Sequence, residues 1–324
     1  MPYAFSRRFL SRAVQWFYFL TCLWIGWRFA AFCRYAAGGG PEAARPAGVE
    51  GFLPISALLG ARHALATGTW DPVHPAGLTI FLAVLVMAWL MRKAFCGHVC
   101  PVGFVGERLG RLGQRLGLAR SVPARLEGVL RLPKYLLLAF FLFTAFCGMD
   151  ASGIEGFLRS SYNLTADARM LRFFTDPSAL TVGIVGLLAV AGVVWRGAFC
   201  RWLCPYGALL GLLALVGPMA LRRDPERCTG CGRCRKACPL DLPVAPGARP
   251  LECSGCAACV LACPENAAAA GFTLAGWSVP WWLPGVGAFC LGLCVWFGAQ
   301  ALGLWDSGLP LPMLKRLYAA ALAG

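Results

Sequence analysis

Five long apolar stretches, separated by segments of charged and small residues, dominate the pattern of the chain. They lie at about 13–33, 76–92, 133–149, 178–196 and 280–301. Because a helix needs roughly 20 predominantly apolar residues to cross a hydrocarbon layer about 30 Å thick, the pattern predicts about five transmembrane helices. The first stretch follows the basic segment MPYAFSRRFLSR but lacks a small-residue cleavage site, so we expect a retained helix there.

A sixth apolar segment is too short for the same interpretation. Residues 206–220, YGALLGLLALVGPMA, favour an interfacial or re-entrant segment because of their length. The equivalent segment after the first cysteine motif, VGFVGERLGRLGQRLG at 102–117, is typical of an amphipathic surface helix. If 206–220 did cross the membrane, every later segment would change sides.

The chain also contains an internal repeat. The paired segments are VEGFLP (49–54) with IEGFLR (154–159), TWDP (69–72) with FTDP (174–177), AAFC (30–33) with TAFC (144–147), and AFCGHVCP (94–101) with AFCRWLCP (198–205). Each half therefore has a helix going out, an outer loop, a turn with Asp-Pro, and a helix coming in that ends in C-x3-C-P. Two helices per half preserve direction, which predicts parallel halves related by a pseudo-twofold axis along the membrane normal.

Composition and charge support a membrane protein and orient it. Hydrophobic residues make up 58% of the chain and charged residues 14%, which excludes an ordinary soluble globule. Segment 92–134 carries nine Lys and Arg residues and segment 150–177 carries three. The positive-inside rule then places 92–134 and 197–276 in the cytoplasm, and 34–75, 150–177 and the C-terminus in the periplasm of a bacterial inner membrane. The net charge of +15 is spread over these loops, so we expect no nucleic-acid binding.

The segment before the last apolar stretch carries two successive C-x2-C-x2-C-x3-C-P runs, CTGCGRCRKACP at 228–239 and CSGCAACVLACP at 253–264. This spacing is typical of bacterial two-cluster ferredoxins, in which the fourth cysteine of each run ligates the other cluster. The predicted ligands are Cys228, Cys231, Cys234 and Cys263 for one [4Fe-4S] cluster, and Cys253, Cys256, Cys259 and Cys238 for the other. Zinc would favour longer spacers between paired arms, and disulfides are disfavoured in the cytoplasm.

The combination of two C-x3-C-P motifs in a membrane part with two ferredoxin runs resembles the NapH and MauN type of membrane polyferredoxin over about residues 10–270. More distant similarity is to the proteins NosR and CcoG. The resemblance implies electron transfer from membrane quinol to a partner redox subunit, cytochrome or ferredoxin-like. This chain differs by having a fifth apolar helix after the ferredoxin domain.

Four further cysteines form the second group of candidate site residues: Cys96, Cys100, Cys200 and Cys204. Positions i and i+4 share one helix face, so each motif offers two sulfurs, and the pseudo-twofold axis predicts that the two pairs meet in one four-sulfur site. Such a site could bind a further metal or cluster, or cycle between dithiol and disulfide. Simple packing is the alternative, because a free cysteine behaves as a small apolar residue. Of these roles we favour metal binding.

Quinol oxidation also needs proton acceptors near the headgroup level. His98, inside the first C-x3-C-P motif, is a candidate because histidine titrates near neutral pH, and Glu107 follows it. The candidates in the outer loops are Glu50, Glu155, Asp71, Asp176, His63 and His74. A structural role is the alternative for all of them, and the Glu and Asp residues of the repeated segments are expected to shape turns and cap helices.

The remaining cysteines carry weaker signals. Cys33 and Cys147 occupy equivalent outer positions, where a disulfide and simple packing explain them about equally well. Packing is the expectation for Cys22, Cys290 and Cys294.

These features predict a mainly α fold: a membrane bundle of about five helices built from two parallel duplicated halves, with a small α+β two-cluster ferredoxin domain before the last helix. The predicted domains are the duplicated membrane domain (1–221), the ferredoxin domain (222–272) and the C-terminal helix with its tail (273–324). The chain has no C-x2-C-H haem motif and no G-x-G-x-x-G nucleotide motif.

Two functional classes fit this architecture. In the first, the protein is a quinol dehydrogenase-type subunit that uses the membrane quinone pool and two [4Fe-4S] clusters. In the second, it is an accessory thiol or metal reductase that serves the assembly of a respiratory metalloenzyme, for example by reducing copper. A structural anchor is a third alternative, which eight intact cluster ligands disfavour. The direction of electron flow stays open, since cluster potentials span about a volt.

Overall fold

The computed structural model describes residues 2–242, 250–264 and 270–323, so parts of the predicted ferredoxin domain, 243–249 and 265–269, lie outside the described residues. The chain is mainly helical. The α-helices are α1 (Pro2–Ala36), α2 (Pro54–Thr67), α3 (Pro75–Met91), α4 (Pro101–Arg115), α5 (Ala124–Leu130), α6 (Leu132–Phe143), α7 (Ala151–Leu158), α8 (Ser161–Leu164), α9 (Ala166–Thr175), α10 (Ala179–Val194), α11 (Ala198–Trp202), α12 (Pro205–Val216), α13 (Arg233–Ala237), α14 (Ala258–Ala262), α15 (Leu283–Ala301) and α16 (Leu311–Ala323). The strands are β1 (Met219–Arg223), β2 (Ala270–Leu274) and β3 (Trp277–Val279).

Helices occupy all five predicted membrane stretches, but they differ in length. Within the described residues, Leu10–Ala36, Arg125–Gly148 and Leu283–Ala301 are long and apolar enough to cross a membrane. Helix α10 reaches that length only together with α9, to which it is joined at a bend of 77°, and α3 is a shorter apolar helix. The structure therefore supports three spans, or four if the bent pair counts as one, and the predicted number of about five stays a prediction.

The segment 206–220 is not one continuous helix. Helix α12 ends at Val216, and strand β1 begins at Met219. The apolar run therefore divides into a short helix and the first strand of a sheet. The interpretation of 206–220 as an interfacial or re-entrant segment stays a prediction.

The chain divides into two compact units. The first comprises 1–19, 84–138 and 185–291, and the second comprises 20–83, 139–184 and 292–324. These units group residues by contact, and the division into domains 1–221, 222–272 and 273–324 stays a prediction.

The first unit contains an antiparallel sheet in the order β1-β2-β3. Met219 pairs with Leu274, and Leu274 also pairs with Trp277 across a two-residue turn formed by Ala275 and Gly276. Both turn residues have positive φ, 49° and 94°, as a tight hairpin of this kind requires. The core beside the sheet consists of Met219, Leu221, Leu242, Cys253, Ala257, Cys259, Val260 and Phe272. Cysteines of the second ferredoxin run are thus part of the core of this small α+β region.

The second unit packs around two apolar clusters. One consists of Phe29, Phe32, Cys33, Ala36, Val49, Ala168, Leu314 and Tyr318. The other consists of Leu59, Ala145, Ile154 and Leu158, and it lies where α2 packs against α7. Helix α16, which the sequence pattern did not predict, packs against α9 and supplies Leu314 and Tyr318 to the first cluster.

Candidate functional site

The two ferredoxin runs adopt the same local backbone. Gly232 and Ala257 precede the short helices α13 and α14 with φ of 67° and 59°. The helices are followed by Cys238 and Cys263, which have nearly identical φ and ψ (−68° and 123°, −71° and 123°). Helices α13 and α14 pack against each other. The left-handed conformation costs glycine little, but it is strained for an alanine, so the second loop holds Ala257 in an unfavourable conformation.

The structure brings together the four cysteines predicted for the second cluster. Burial raises the pKa of Cys259, and the neighbouring sulfurs of Cys253, Cys256 and Cys238 raise it further. Burial also raises the pKa of Cys256, and the neighbouring sulfur of Cys238 raises it further. Cys238 also packs against the apolar cluster that contains Cys253 and Cys259, which is the placement that the crossed ligand pattern predicts.

The first run presents its sulfurs differently. Cys231 is exposed, and the backbone N–H of Arg233 and the Thr229 hydroxyl lower its pKa. The Gly230 N–H donates to Cys228 Sγ at 3.4 Å. These donors stabilise thiolates, the form of cysteine that ligates iron. Cys263, the predicted partner from the second run, directly follows helix α14.

The second cysteine of each C-x3-C-P motif lies at a helix start. Cys100 caps α4 and Cys204 caps α12, with the following proline at the first helical position. The Gly207 N–H donates to Cys204 Sγ at 3.3 Å. The backbone N–H of Gly103 likewise lowers the pKa of Cys100, but burial outweighs it and raises this pKa to about 11. A helix N-terminus favours negative charge, so these two sulfurs lie where a bound thiolate is stabilised.

All four C-x3-C-P sulfurs lie within electrostatic reach of one another. Burial raises the pKa of Cys96 to about 12, with contributions from Cys100 and Cys204. The pKa of Cys200 is raised by burial and then by Cys100, Cys204 and Cys96. The two repeated motifs therefore meet in one place.

A buried group of charged residues adjoins this four-cysteine cluster. Lys93 Nζ lies 2.8 Å from Glu252 Oε2, and Lys134 Nζ pairs with the other oxygen of the same carboxylate. All three side chains are almost fully buried. Burial alone would lower the pKa of Lys93, but Glu252 and Cys96 outweigh it and raise this pKa. Two lysines and one glutamate leave one positive charge without a carboxylate partner among the described side chains of this group.

Two equivalent arginines attach the membrane part to the ferredoxin loops, and sequence reasoning missed them. Arg92 is fully buried and donates to the carbonyl oxygens of Met219 and Pro250. Arg196 donates to the Cys238 carbonyl oxygen at 2.8 Å and pairs with Asp241. Both arginines stand four residues before the first cysteine of their motif. The repeat is therefore R-x-A-F-C-x3-C-P-x-G, at 92–103 and 196–207, and this longer pattern was present in the sequence.

The glycine that ends this pattern is required by packing in the first copy. A Cβ atom on Gly103 would lie 2.2 Å from the Cys96 carbonyl oxygen. In the second copy, a Cβ atom on Gly207 would lie 3.5 Å from the Cys200 carbonyl oxygen, which is ordinary contact. The first helix start thus packs more tightly on its motif than the second.

Among the described residues, no three His, Cys, Asp or Glu side chains are arranged so that they could hold a single metal ion. Four sulfurs that bind one tetrahedral ion each lie about 2.3 Å from it. Ligands of an iron–sulfur cluster are farther apart, because the iron and sulfide atoms separate them. The single metal ion predicted as one possibility at the C-x3-C-P cysteines stays a prediction.

His98 is buried and lies against the second ferredoxin loop. Its Nε2 is 3.3 Å from the Gly255 carbonyl oxygen. Its Nδ1 has no hydrogen-bond partner among the described residues. Burial lowers the pKa of His98, which favours the neutral imidazole. Glu107, the other inner candidate, accepts from the Gln15 side chain and pairs with Arg111.

The outer candidates separate into a buried and an exposed set. Glu50 is fully buried, pairs with Arg45 at 2.7 Å, and lies 3.4 Å from His74 Nδ1. Arg45 also pairs with Asp167 at 2.7 Å, and Tyr318 donates to that carboxylate. Sequence reasoning missed Arg45, Asp167 and Tyr318, which have no counterpart in a motif.

The second copy of the repeat lacks this network. Glu155 and Asp176 lie at the surface with side-chain exposures of 49% and 80% and form ion pairs with Arg159 and Arg172. Asp71 has the expected turn role, since it accepts from the backbone N–H groups of Val73 and His74. His63 is buried beside Thr67.

No disulfide bond joins any of the 17 cysteines, all of which lie in the described ranges. Cys33 is buried in the first apolar cluster of the second unit, and Cys147 is exposed. Packing therefore explains Cys33, and the disulfide alternative for this pair gains no support. Cys290 and Cys294 are exposed along α15.

Comparisons with known proteins agree with an iron–sulfur assignment. A family described as "4Fe-4S binding domain" matches residues 73–118 and again 175–223, which contain the two C-x3-C-P motifs. A second family with the same description matches 221–242. No solved structure matches the chain at a significant level.

Several curated relatives have names that refer to electron transport or ferredoxins. The chain is 36% identical over 292 residues to the putative electron transport protein YccM of Escherichia coli, covering 86% of this chain and 80% of that protein. It is 29% identical to the methylamine utilization ferredoxin-type protein MauN of Methylorubrum extorquens, covering 62% of this chain and 66% of that protein. It is 28% identical to the regulatory protein NosR of Pseudomonas aeruginosa, covering 61% of this chain but 28% of that protein.

Proposed function

Because the chain belongs to the NapH/MauN-type family of membrane polyferredoxins, we propose that it oxidises membrane quinol and delivers the electrons to a partner redox enzyme. Family membership itself supports the more general statement that the protein is a membrane-associated 4Fe-4S electron-transport protein. One observation supports the proposal of quinol oxidation. The cysteines of the two C-x3-C-P motifs lie within electrostatic reach of one another, and the Lys93–Glu252 ion pair links them to the second ferredoxin loop.

The ferredoxin cysteines suit two [4Fe-4S] clusters. Cys238 lies with Cys253, Cys256 and Cys259, and backbone N–H groups point at the sulfurs of the first run. Cys228, Cys231, Cys234 and Cys263 would hold the other cluster. When bound, each cluster supplies one-electron redox chemistry. The protein buries cysteines of the second set and leaves Cys231 of the first set exposed. Arg92 and Arg196 hold the ferredoxin loops through hydrogen bonds to their backbone carbonyl oxygens.

The charge around the C-x3-C-P cysteines favours a negatively charged metal–sulfur centre over a disulfide. Lys93 and Lys134 share the single carboxylate of Glu252, so this group carries one net positive charge when both lysines are protonated. An unpaired buried charge is costly, and a neutral disulfide or four neutral thiols would leave it uncompensated. Four thiolates bound to metal carry net negative charge and would neutralise it. Lys93 is close enough to Cys96 and Cys200 for each to raise its pKa.

Quinol oxidation releases two electrons and two protons. Two one-electron clusters together accept the two electrons, and the protons pass to solvent. The orientation that we propose places the ferredoxin region in the cytoplasm, because the nine basic residues of 92–134 favour that side. An activity reporter inserted after Gly117 of the full chain should be active only in the cytoplasm, and periplasmic activity would contradict this orientation.

The direct test of the function uses the full-length protein, purified without oxygen and placed in lipid nanodiscs. Addition of menadiol should bleach the visible absorbance of the clusters at a rate that saturates with menadiol concentration. If dithionite bleaches the clusters but excess menadiol does not, the proposal of quinol oxidation is wrong.

A further inference from the structure

The second ferredoxin loop is enclosed by other segments of the first unit. A Cβ atom on Gly255 would lie 3.2 Å from the Met91 carbonyl oxygen and 3.5 Å from Pro284 Cβ. Ser254 of the same loop is buried, and a Cβ atom on Gly97 would lie 2.4 Å from its carbonyl oxygen. Gly97 belongs to the first C-x3-C-P motif, so this motif packs directly on the second loop.

The first ferredoxin loop has the same backbone but an open tip. Gly230 and Gly232 have φ of 71° and 67°, and a Cβ atom on either would meet nothing within 4 Å among the described residues. Thr229 and Cys231 are exposed. Glycines on both sides of Cys231 allow another molecule to approach the backbone closely. The cluster predicted for this run is therefore accessible from outside the protein at Cys231.

Basic side chains surround the open tip of the first loop. Arg233 and Lys236 are exposed and form no ion pair among the described side chains. They stand three residues apart in α13, which places them on one helix face. Arg227 is also exposed, and its ion pair with Asp224 is loose, at 3.6 Å. We call this region the first-loop surface and define it by Arg227, Thr229, Cys231, Arg233 and Lys236.

The positive charge of the first-loop surface suits an acidic protein or anionic lipid headgroups. A lipid layer over Cys231 would separate the predicted cluster from every redox protein in the surrounding water. An acidic protein at the same place would instead bring its own redox group close to the cluster. Because electron transfer slows steeply with distance, an exposed cluster ligand among unpaired basic side chains favours the protein.

We propose that the first-loop surface docks a redox protein whose electron-accepting group lies among acidic side chains, and that electrons leave this protein there. The proposal rests on the proposed function and names the chemistry of its partner. Electrons enter at the enclosed second loop, which contacts the C-x3-C-P motif, and leave at the open first loop. Each transfer to the partner moves one electron, and no bond or proton has to change with it.

The lysines of the chain provide a specific probe of this surface. The chain has four lysines. Lys93 and Lys134 are buried, and Lys315 Nζ lies 3.8 Å from the centroid of the Tyr35 ring. Lys236 is the exposed one. A carbodiimide joins a lysine amine directly to a carboxylate, so a cross-link to an acidic protein docked here should form at Lys236.

The test uses the full-length protein, purified without oxygen, in nanodiscs of uncharged lipid. The probes are flavodoxin, a small acidic electron carrier, and cytochrome c, which is basic around its haem. Flavodoxin should bind with an affinity that falls as salt rises, because salt screens the charges. Carbodiimide should join it to the peptide that contains Lys236. Lys236→Arg keeps the charge, so it should bind flavodoxin equally well but lose this cross-link. Cytochrome c should not bind.

Charge reversal tests the surface independently of cross-linking. Arg233→Glu replaces an attraction by a repulsion and should weaken flavodoxin binding roughly fivefold. Arg12→Glu makes the same change of charge at an exposed arginine of α1 and should leave the affinity unchanged. Iron content and bleaching by dithionite confirm that both variants are folded and loaded.

Three results would overturn the docking surface while leaving quinol oxidation intact, provided that menadiol still bleaches the clusters. They are no salt-dependent binding of flavodoxin, equal weakening by Arg233→Glu and Arg12→Glu, and cross-links confined to Lys315 or the amino terminus. Labelling of peptides within 229–236 by a phosphatidylglycerol with a photoreactive headgroup would show a membrane contact there and would also overturn it. Flavodoxin binding as predicted, without menadiol bleaching, would support the surface and contradict the proposed function.

Discussion

Lys93 Nζ lies 2.8 Å from Glu252 Oε2, and both side chains are buried. Lys93 stands three residues before Cys96, and Glu252 stands directly before Cys253. This ion pair therefore joins a C-x3-C-P motif to a ferredoxin run. The positive charge of Lys93 therefore acts on the sulfurs of Cys96 and Cys200 as well as on Glu252 of the ferredoxin region.

Replacing Lys93 by methionine should lower the reduction potential of the metal–sulfur centre proposed at the four C-x3-C-P cysteines. Loss of a nearby positive charge disfavours the added electron, and a shift on the order of 60 mV corresponds to about 1.4 kcal/mol for a one-electron centre. Redox titration followed by electron paramagnetic resonance measures it. Lys134→Met is the matched control, because it removes the other lysine that pairs with Glu252. Cys96 and Cys200 both contribute to the pKa of Lys93, which stands three residues before Cys96. Equal shifts in both variants would argue against a special role for Lys93.

Gly103→Ala should damage the first C-x3-C-P motif. Its Cβ atom would lie 2.2 Å from the Cys96 carbonyl oxygen, so backbone must move, at a cost of about 1–3 kcal/mol or more. Gly106→Ala in the same helix meets nothing within 4 Å and should be neutral or slightly stabilising. Thermal unfolding in detergent compares the two variants. A Gly103→Ala protein as stable as Gly106→Ala would show that the tight packing is not required.

Cys238→Ser should alter the same cluster signal as Cys253→Ser. Cys238 belongs to the first run by sequence but lies beside Cys253, Cys256 and Cys259. Cys263→Ser should instead alter the signal that Cys228→Ser alters. Mössbauer and electron paramagnetic resonance spectra of the four variants distinguish the pairs. If Cys238→Ser affected only the cluster of its own run, the crossed ligand pattern would be wrong.

The buried network around Glu50 should make stability depend on pH. Burial alone would lower the pKa of His74, but the carboxylate of Glu50, 3.4 Å from His74 Nδ1, outweighs it and raises this pKa above 6.5. The contribution of His74 is then fully present below pH 6.5 and is lost as pH rises through the raised value. Burial alone would raise the pKa of Glu50, but His74 and Arg45 lower it below 4.5. The contribution of Glu50 is present above pH 4.5 and is lost as pH falls through the lowered value.

His74→Gln should therefore remove the loss of melting temperature that accompanies a rise in pH from about 6.5 upward. His63→Gln is the control, because His63 is also buried, in helix α2, but forms no ion pair among the described residues. An unchanged pH profile in His74→Gln would mean that His74 contributes no charge to the network.

Local patterns predicted much of this molecule. The positions of the apolar helices and the two ferredoxin loops follow from composition and cysteine spacing, because short-range chemistry dictates both. The repeat also predicts that Cys96 and Cys100 share one site with Cys200 and Cys204, and that site stays a prediction. The number of full spans does not follow from local patterns, because Asp176 and Pro177 separate α9 from α10 and leave a bend of 77°.

Buried charges could not be predicted in the same way. Glu50 and Glu155 occupy equivalent places in the repeat, yet Glu50 is buried and Glu155 is half exposed. The difference arises from Arg45 and Asp167, which are far apart in the sequence and meet only in the folded chain. Burial of a carboxylate requires such partners, and a local pattern does not contain them.

The most direct test of the central claim is quinol-dependent cluster reduction in the Cys96→Ala/Cys200→Ala protein, with Cys290→Ala/Cys294→Ala as a control that removes two exposed cysteines elsewhere. Both proteins should contain the two ferredoxin clusters and be reduced by dithionite. The account predicts that menadiol reduces the clusters of the control at the rate of the unaltered protein and fails to reduce those of Cys96→Ala/Cys200→Ala. Reduction by menadiol at an unchanged rate in Cys96→Ala/Cys200→Ala would contradict it.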